Sequence, residues 1–181
     1  MIQKSFSLLL SAYVYLWLMQ IRLARQEDLP DINKIYNQAV QQRFCTAHLE
    51  PVEMEARSRW FLKHDPVRYP VFVAADKELI LGWASLGPYR EDRQALAHVA
   101  EVSYYVEERE RGRGVGGHLL GHVLKLAPAY GYSVLIAILL DKNRASIALL
   151  KKFGFVEWGR MPGIAQIAGQ AADHLYYGFK L

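Results

Sequence analysis

Cys45 is the chain's single cysteine, which excludes an intramolecular disulfide and any cysteine-built metal cluster. A chain without disulfides suits a reducing compartment, so the expected location is the cytoplasm, with no bound metal. No internal repeat, low-complexity tract or interdomain linker interrupts the 181 residues. A solenoid is thereby excluded, and one folding unit is expected. Also lacking is an apolar run of the roughly 20 residues that a membrane-spanning helix needs. The longest candidate, Phe6 to Met19, is shorter, and no small-residue cleavage site separates it from Ile21, where the first strand reads. The expectation is an apolar N-terminal extension over residues 1–20, with Met19 as a candidate initiator, followed by one domain over 21–181. A membrane role is not expected.

What the chain does have is core-forming material: 52% hydrophobic residues, with seven Phe, four Trp and eleven Tyr. That is ample for an ordered domain. The net charge of +4 favours an anionic partner, but the basic residues are scattered except at Arg109 to Arg113. A small anionic ligand fits that distribution better than nucleic acid does.

Apolar periodicity lays out the elements. Ile21 to Ala24 reads as a strand, and a helix with Leu29, Ile32, Ile35, Tyr36 and Val40 on one face begins at Asp28. A second helix, about Pro51 to His64, has Val52, Ala56, Trp60 and Phe61 inward and ends at prolines. Val71–Ala75 and Leu79–Ala84 form a hairpin about Asp76-Lys77-Glu78. A strand over His98–Val106, a helix over Gly114–Tyr130 and the wholly apolar Val134–Leu139 make a strand-helix-strand unit with parallel pairing. A helix over Ala145–Phe153 stops at Gly154, and strands at Phe155–Trp158 and His174–Leu181 close the chain around a loop holding Pro162, Gly163 and Gly169. The fold class expected is α/β (α+β): one mixed sheet flanked by helices.

The segment richest in chemistry is Arg109-Glu110-Arg111-Gly112-Arg113-Gly114-Val115-Gly116-Gly117, between a strand and a helix. Glycines let the backbone approach a ligand closely, and free N–H groups at a helix start suit a pyrophosphate. A solvated glycine-rich turn would have the same composition. A dinucleotide fold is a sharper rival, since Gly112, Gly114 and Gly117 satisfy G-x-G-x-x-G and Asp141 follows the next strand. Against it, Glu107 to Arg111 intervene between the strand and the first glycine, and the chain past Asp141 is too short for a second dinucleotide half.

Arg-Gly-Arg-Gly-Val-Gly after an apolar strand resembles the acetyl-CoA pyrophosphate loop of the GNAT acetyltransferase superfamily. Ile35-Tyr36-Asn37-Gln38-Ala39-Val40, Leu81-Gly82-Trp83-Ala84-Ser85-Leu86, Ala100-Glu101-Val102-Ser103-Tyr104-Tyr105-Val106 and Asn143-Arg144-Ala145-Ser146-Ile147 with Phe153-Gly154-Phe155 are similar to the phosphinothricin N-acetyltransferase family. The resemblance implies a GNAT-like domain with a mixed, mostly antiparallel sheet of about seven strands and about four helices. It implies acetyl transfer from acetyl-CoA to the primary amine of a small molecule, an amino acid or analogue of the phosphinothricin or methionine sulfoximine type, by direct attack on the thioester. A homodimer is implied too. Backbone at Tyr105 and Val106 would pair with the pantetheine arm, Arg111, Gly112, Arg113, Gly114, Val115 and Gly116 would hold the pyrophosphate, and Asn143 would touch the cofactor, although a helix cap suits Asn143 equally.

An ammonium must lose a proton before it can attack, and Glu101, interrupting an apolar strand, is the candidate base. Burial would raise its pKa towards neutrality. A solvated or ion-paired Glu fits the same spacing, and His98 is a second candidate. Departures from the family pattern bear on substrate. Leu150 stands where many members place a Tyr acid, Leu96 and Ala171 replace aromatics, and Ile164 to Gln170 is uncharged. Arg90 and Arg93 remain as carboxylate partners, or as solvated loop arginines. The alternative function is a CoA-binding sensor or assembly domain that has lost catalysis.

Overall fold

A computed structural model describes residues 19–181; the expectation for an N-terminal apolar extension falls almost wholly outside them. Seven strands form one sheet in the order β1-β2-β3-β4-β5-β7-β6. They are β1 Gln20–Leu23, β2 Val71–Asp76, β3 Leu79–Pro88, β4 Val99–Val106, β5 Val134–Leu140, β6 Val156–Ile167 and β7 Gln170–Lys180. Every neighbouring pair is antiparallel except β4 with β5. Four α-helices flank the sheet: α1 Leu29–Gln41, α2 Met54–Leu62, α3 Val115–Leu126 and α4 Arg144–Lys152. The expected mixed sheet of about seven strands and four helices is what the chain forms. Met19 is already buried in the core, and the first strand opens at Gln20.

Two apolar clusters cover the two faces of the sheet. On one, Phe72, Leu86, Val102 and Leu135 pack against Val115, Leu119 and Val123 of α3 and Leu150 of α4. On the other, Val71, Val73 and Trp83 pack against Leu29, Ile32, Ile35 and Tyr36 of α1. The period of two in β3 and β4 sends alternate side chains to opposite clusters. Glu101, Ser103 and Tyr105 therefore project on the α1 side, and Val102, Tyr104 and Val106 on the α3 and α4 side. Polar anchors fix α1 to its surroundings. Asn37 exchanges hydrogen bonds with the Val52 backbone, and Gln38 donates to Glu107 Oε1 and accepts from the Glu108 N–H.

Two features of the chain depart from the sequence reading. The segment expected as a loop around Pro162, Gly163 and Gly169 is strand, the long β6–β7 hairpin. Its turn is Ala168-Gly169, both with positive φ (50° and 75°), which is the two-residue geometry hairpins favour. Pro162 is tolerated because β6 is an edge strand and the register breaks between Met161 and Ala165. The second departure is in α2, whose fully buried residue is the charged Arg57.

Gly82 of β3 lies under α3. A Cβ there would come within 2.8 Å of the Tyr105 carbonyl oxygen, 3.1 Å of Leu119 Cδ1 and 3.2 Å of Val115 Cγ1. Backbone cannot give way as a side-chain tip can, so Gly82→Ala is expected to cost about 1–3 kcal/mol. Thermal melting of the variant checks this, at roughly 2–4 °C per kcal/mol for a chain of this size.

Candidate active site

β4 and β5 start as a parallel pair and then part. Their register runs only through Val99–Val134, Ala100–Leu135 and Glu101–Ile136. Past Glu101 the strands splay, and Tyr104, Tyr105, Ile138 and Leu139 line the gap. On its other edge β4 stays paired with β3 as far as Val106. The Glu107 N–H donates to the Leu81 carbonyl, and alternation from there turns the Tyr105 backbone towards β3. The N–H and C=O groups of Val102, Tyr104 and Val106 then face the splay. Of the two backbones expected to meet the pantetheine, Val106 faces the gap, while the Tyr105 backbone is turned to β3 and its side chain projects on the α1 side.

One cleft, of about 390 Å³, runs from the splay to the start of α3. Arg111, Gly112, Gly114, Val115 and Gly116 line it, with Asn143 on the opposite wall. Gly112 and Gly114 have φ of 74° and 93°, which side chains resist. Gly114 is the N-cap of α3, so the N–H groups of Val115, Gly116 and Gly117 lack intrahelical partners and carry the positive end of the helix dipole. An added Cβ at Gly112 would meet nothing within 4 Å, whereas one at Gly116 would touch Leu149 at 3.3 Å and Val106 at 3.4 Å. The first glycine leaves room for a ligand, and the second lets α3 approach α4.

The arginines of this loop differ in what they do. Arg111 donates from Nε to the Val106 carbonyl at 3.1 Å, tying the loop to the end of β4. Arg113 pairs with Glu110 at 2.8 Å and is not part of the cleft wall. Asn143 caps α4 by accepting the Ser146 N–H at 3.2 Å while it also lines the cleft. Capping the helix therefore does not take Asn143 out of the cleft wall. Tyr104 lies between, its hydroxyl 2.6 Å from Ser146 Oγ and its phenol pushed up to about 12 by burial.

A second cavity, of about 570 Å³, opens from the same splay on the α1 and α2 side. Glu101, Ser103, Tyr105 and Ser85 make its floor. Glu101 is partly buried, no ion pair reaches it among the described residues, and burial raises its pKa. It is therefore neither a solvated strand residue nor a paired core ion. The walls are Tyr36, Trp60, Trp83, His48 and Arg57. Tyr36 hydrogen-bonds Thr46 at 2.8 Å and also His48 Nδ1, and Trp83 and Tyr105 rings lie 4.8 Å apart. Apart from Glu101 and Tyr105, the sequence reading did not place these groups at the site. Burial pushes the Cys45 thiol up, the opposite of what an activated nucleophile needs.

The remaining candidates sit elsewhere. His98 is exposed and lines neither cavity. Arg90 and Arg93 line a separate concavity with Arg68 and Tyr69, which shares no wall with the central one.

A splayed parallel pair of strands, with a glycine-lined helix N-terminus on one side and a carboxylate in an aromatic cavity on the other, is the arrangement of an acyltransferase. The Acetyltransferase (GNAT) family model matches residues 30–155, and the chain belongs to that family as an acetyltransferase. YwnH of Bacillus subtilis, provisionally named a phosphinothricin acetyltransferase, is 40% identical over 164 residues, covering 90% of this chain and 99% of that one. An L-methionine sulfoximine/L-methionine sulfone acetyltransferase of Pseudomonas aeruginosa is 36% identical over 154 residues, 84% of this chain and 89% of its own. Among solved structures, a GNAT superfamily phosphinothricin acetyltransferase from Sinorhizobium meliloti in complex with AcCoA superimposes with a TM-score of 0.84. It is 27% identical and covers 91% of this chain and 89% of that one.

Proposed function

We propose that this protein transfers an acetyl group from acetyl-CoA to the primary amine of an amino acid or amino-acid analogue. The observation that carries the reading is the meeting of two cavities at one splay, where Tyr105 lines both and Glu101 lies on the floor of the second. Acetyl-CoA supplies an acyl group activated as a thioester. The N–H groups opening α3 and the Gly112 and Gly114 backbone hold its pyrophosphate, and the Val106 N–H, which faces the splay, orients its arm. Glu101, directly or through a water, takes a proton from the ammonium, and the neutral amine attacks the carbonyl carbon. An N–C bond forms and the C–S bond breaks, with the electron pair leaving on sulfur and the amide nitrogen's second proton passing to the thiolate or to water. A backbone donor on the splayed edge stabilises the charge that develops on the carbonyl oxygen.

Acetyl-CoA is expected to raise the melting temperature and NADH to leave it unchanged, because only a ligand that binds the folded state stabilises it, by about 2.7 kcal/mol at a hundred times its Kd. Differential scanning fluorimetry with each ligand makes the comparison. Stabilisation by NADH alone would overturn the assignment of the glycine loop. Thiol release from acetyl-CoA across amino acids, their sulfone and phosphinate analogues, and polyamines then identifies the acceptor.

A further inference from the structure

The cavity that holds Glu101 also holds a cation that the proton chemistry does not use. Arg57 is only 4% exposed, and no carboxylate among the described residues pairs with it. Its Nε donates to Asn33 Oδ1 at 3.2 Å, and Asn33 Nδ2 in turn donates to the Val52 carbonyl at 2.8 Å. The guanidinium is stacked in an aromatic box, 4.3 Å from the Tyr36 ring centroid, 4.7 Å from Trp60 and 5.7 Å from Trp83. Neutral groups therefore fix its plane and leave its charge uncompensated. Neither Nη has a hydrogen-bond partner among the described residues, and neither is sealed away from the cavity.

A buried, unpaired cation is costly, and burial disfavours the charged form of Arg57. An anion entering from the cavity would remove that cost and meet a preoriented fork of two N–H donors, the geometry that suits a carboxylate. Glu101 lies on the cavity floor and Arg57 in its wall, and no ion pair joins them among the described residues. The cavity thus offers a carboxylate and a guanidinium at separate places, with aromatic rings beside the latter. A zwitterion complements that pattern.

We propose that Arg57 is the anchor for the α-carboxylate of the acceptor, held by the two Nη groups while its ammonium faces Glu101. This inference rests on the amino-acid reading above and adds what selects the substrate: an amine without a carboxylate leaves the guanidinium bare. A site built around a buried polar group rejects ligands that cannot satisfy it far more strongly than an apolar pocket rejects a misfit.

The test compares methionine sulfone with its primary amide and with 3-(methylsulfonyl)propylamine, the amine lacking the carboxylate, on the wild type, Arg57→Gln and Arg57→Lys. Wild-type kcat/KM is expected to favour the amino acid by about 10²- to 10³-fold. Arg57→Gln should lose most of that preference through KM, with a smaller loss on the amide than on the amino acid and acetyl-CoA affinity retained. Arg57→Lys should recover part of the preference, since it restores charge without the fork. Equal wild-type activity on the acid and the amide would overturn the anchor and needs no variant. So would an Arg57→Gln loss that is the same for all three acceptors, which is the mark of a structural role. Acetylation only of amines without a carboxylate would overturn the amino-acid reading itself.

Discussion

Gly114→Val is expected to raise the Kd for acetyl-CoA by about 10²-fold or more while the fold survives. Gly114 caps α3 with φ of 93°, a conformation that costs a branched side chain roughly 1–3 kcal/mol. Relaxing that strain rotates the peptide that precedes Val115, and the N–H groups aimed into the cleft turn with it. Each hydrogen bond to an ionised phosphate contributes about 1.5–3 kcal/mol, so misaligning one or two accounts for the expected loss. Gly121→Ala is the contrasting case. Gly121 lies about two turns further along α3, where a Cβ would meet Phe153 at 3.4 Å, so its effect should appear in the melting temperature and spare acetyl-CoA affinity. Isothermal titration of both variants separates the roles. An unchanged Kd in a folded Gly114→Val protein would show that the α3 N-terminus does not bind the pyrophosphate.

That division among glycines marks how far the sequence alone could go. Its spacing placed the loop between a strand and a helix, which the structure bears out at Val106 and Val115. It could not distinguish glycines needed for positive φ, such as Gly112 and Gly114, from those that let α3 approach α4, such as Gly116. Both kinds read as the same letter. Apolar periodicity likewise gave β2, β3 and β5, whose hydrophobic runs are long. It placed the outer ends of β6 and β7 but read the rest of their hairpin as a loop, because an exposed edge strand with Pro162 and Gly163 has loop composition.

The acceptor cavity was harder still to read. Its walls come from α1, α2, the intervening segment with Thr46 and His48, β3, β4, β5 and β7, so no local motif contains it. Arg57 in particular lies one residue from the inward Ala56 of the expected helix and reads as a solvent-facing charge. Only the packing of Tyr36, Trp60 and Trp83 around it reveals that it is buried. Glu101 was found because a carboxylate inside an otherwise apolar strand breaks a pattern. Asn143 was ambiguous because a cap and a cleft-facing residue occupy the same helix start, as they do here.

Glu101→Gln should leave acetyl-CoA affinity intact and lower kcat by about 10²- to 10⁴-fold at neutral pH, the range for losing a positioned general base. The side chain keeps its size, so the cavity floor formed with Ser103 and Tyr105 is preserved. Burial raises the Glu101 pKa above its ordinary value, which disfavours the ionised form in the folded state. The associated stability is present below the unfolded carboxylate pKa and is lost as pH rises through the raised one. Glutamine does not titrate. Relative to wild type, the variant should therefore melt no lower at pH 7 than at pH 4, and a fall in its melting temperature at neutral pH would point to a structural role. In the kinetics, the acidic limb of the wild-type kcat/KM profile should lie above the ordinary carboxylate range and vanish in the variant. The deficit should shrink as pH approaches the pKa of the amine, where free base becomes abundant without help. A deficit that stays constant up to that pH, or a rise in KM with kcat unchanged, would assign Glu101 to orienting the amine rather than deprotonating it. Full activity in Glu101→Gln on the identified acceptor would remove it from the mechanism.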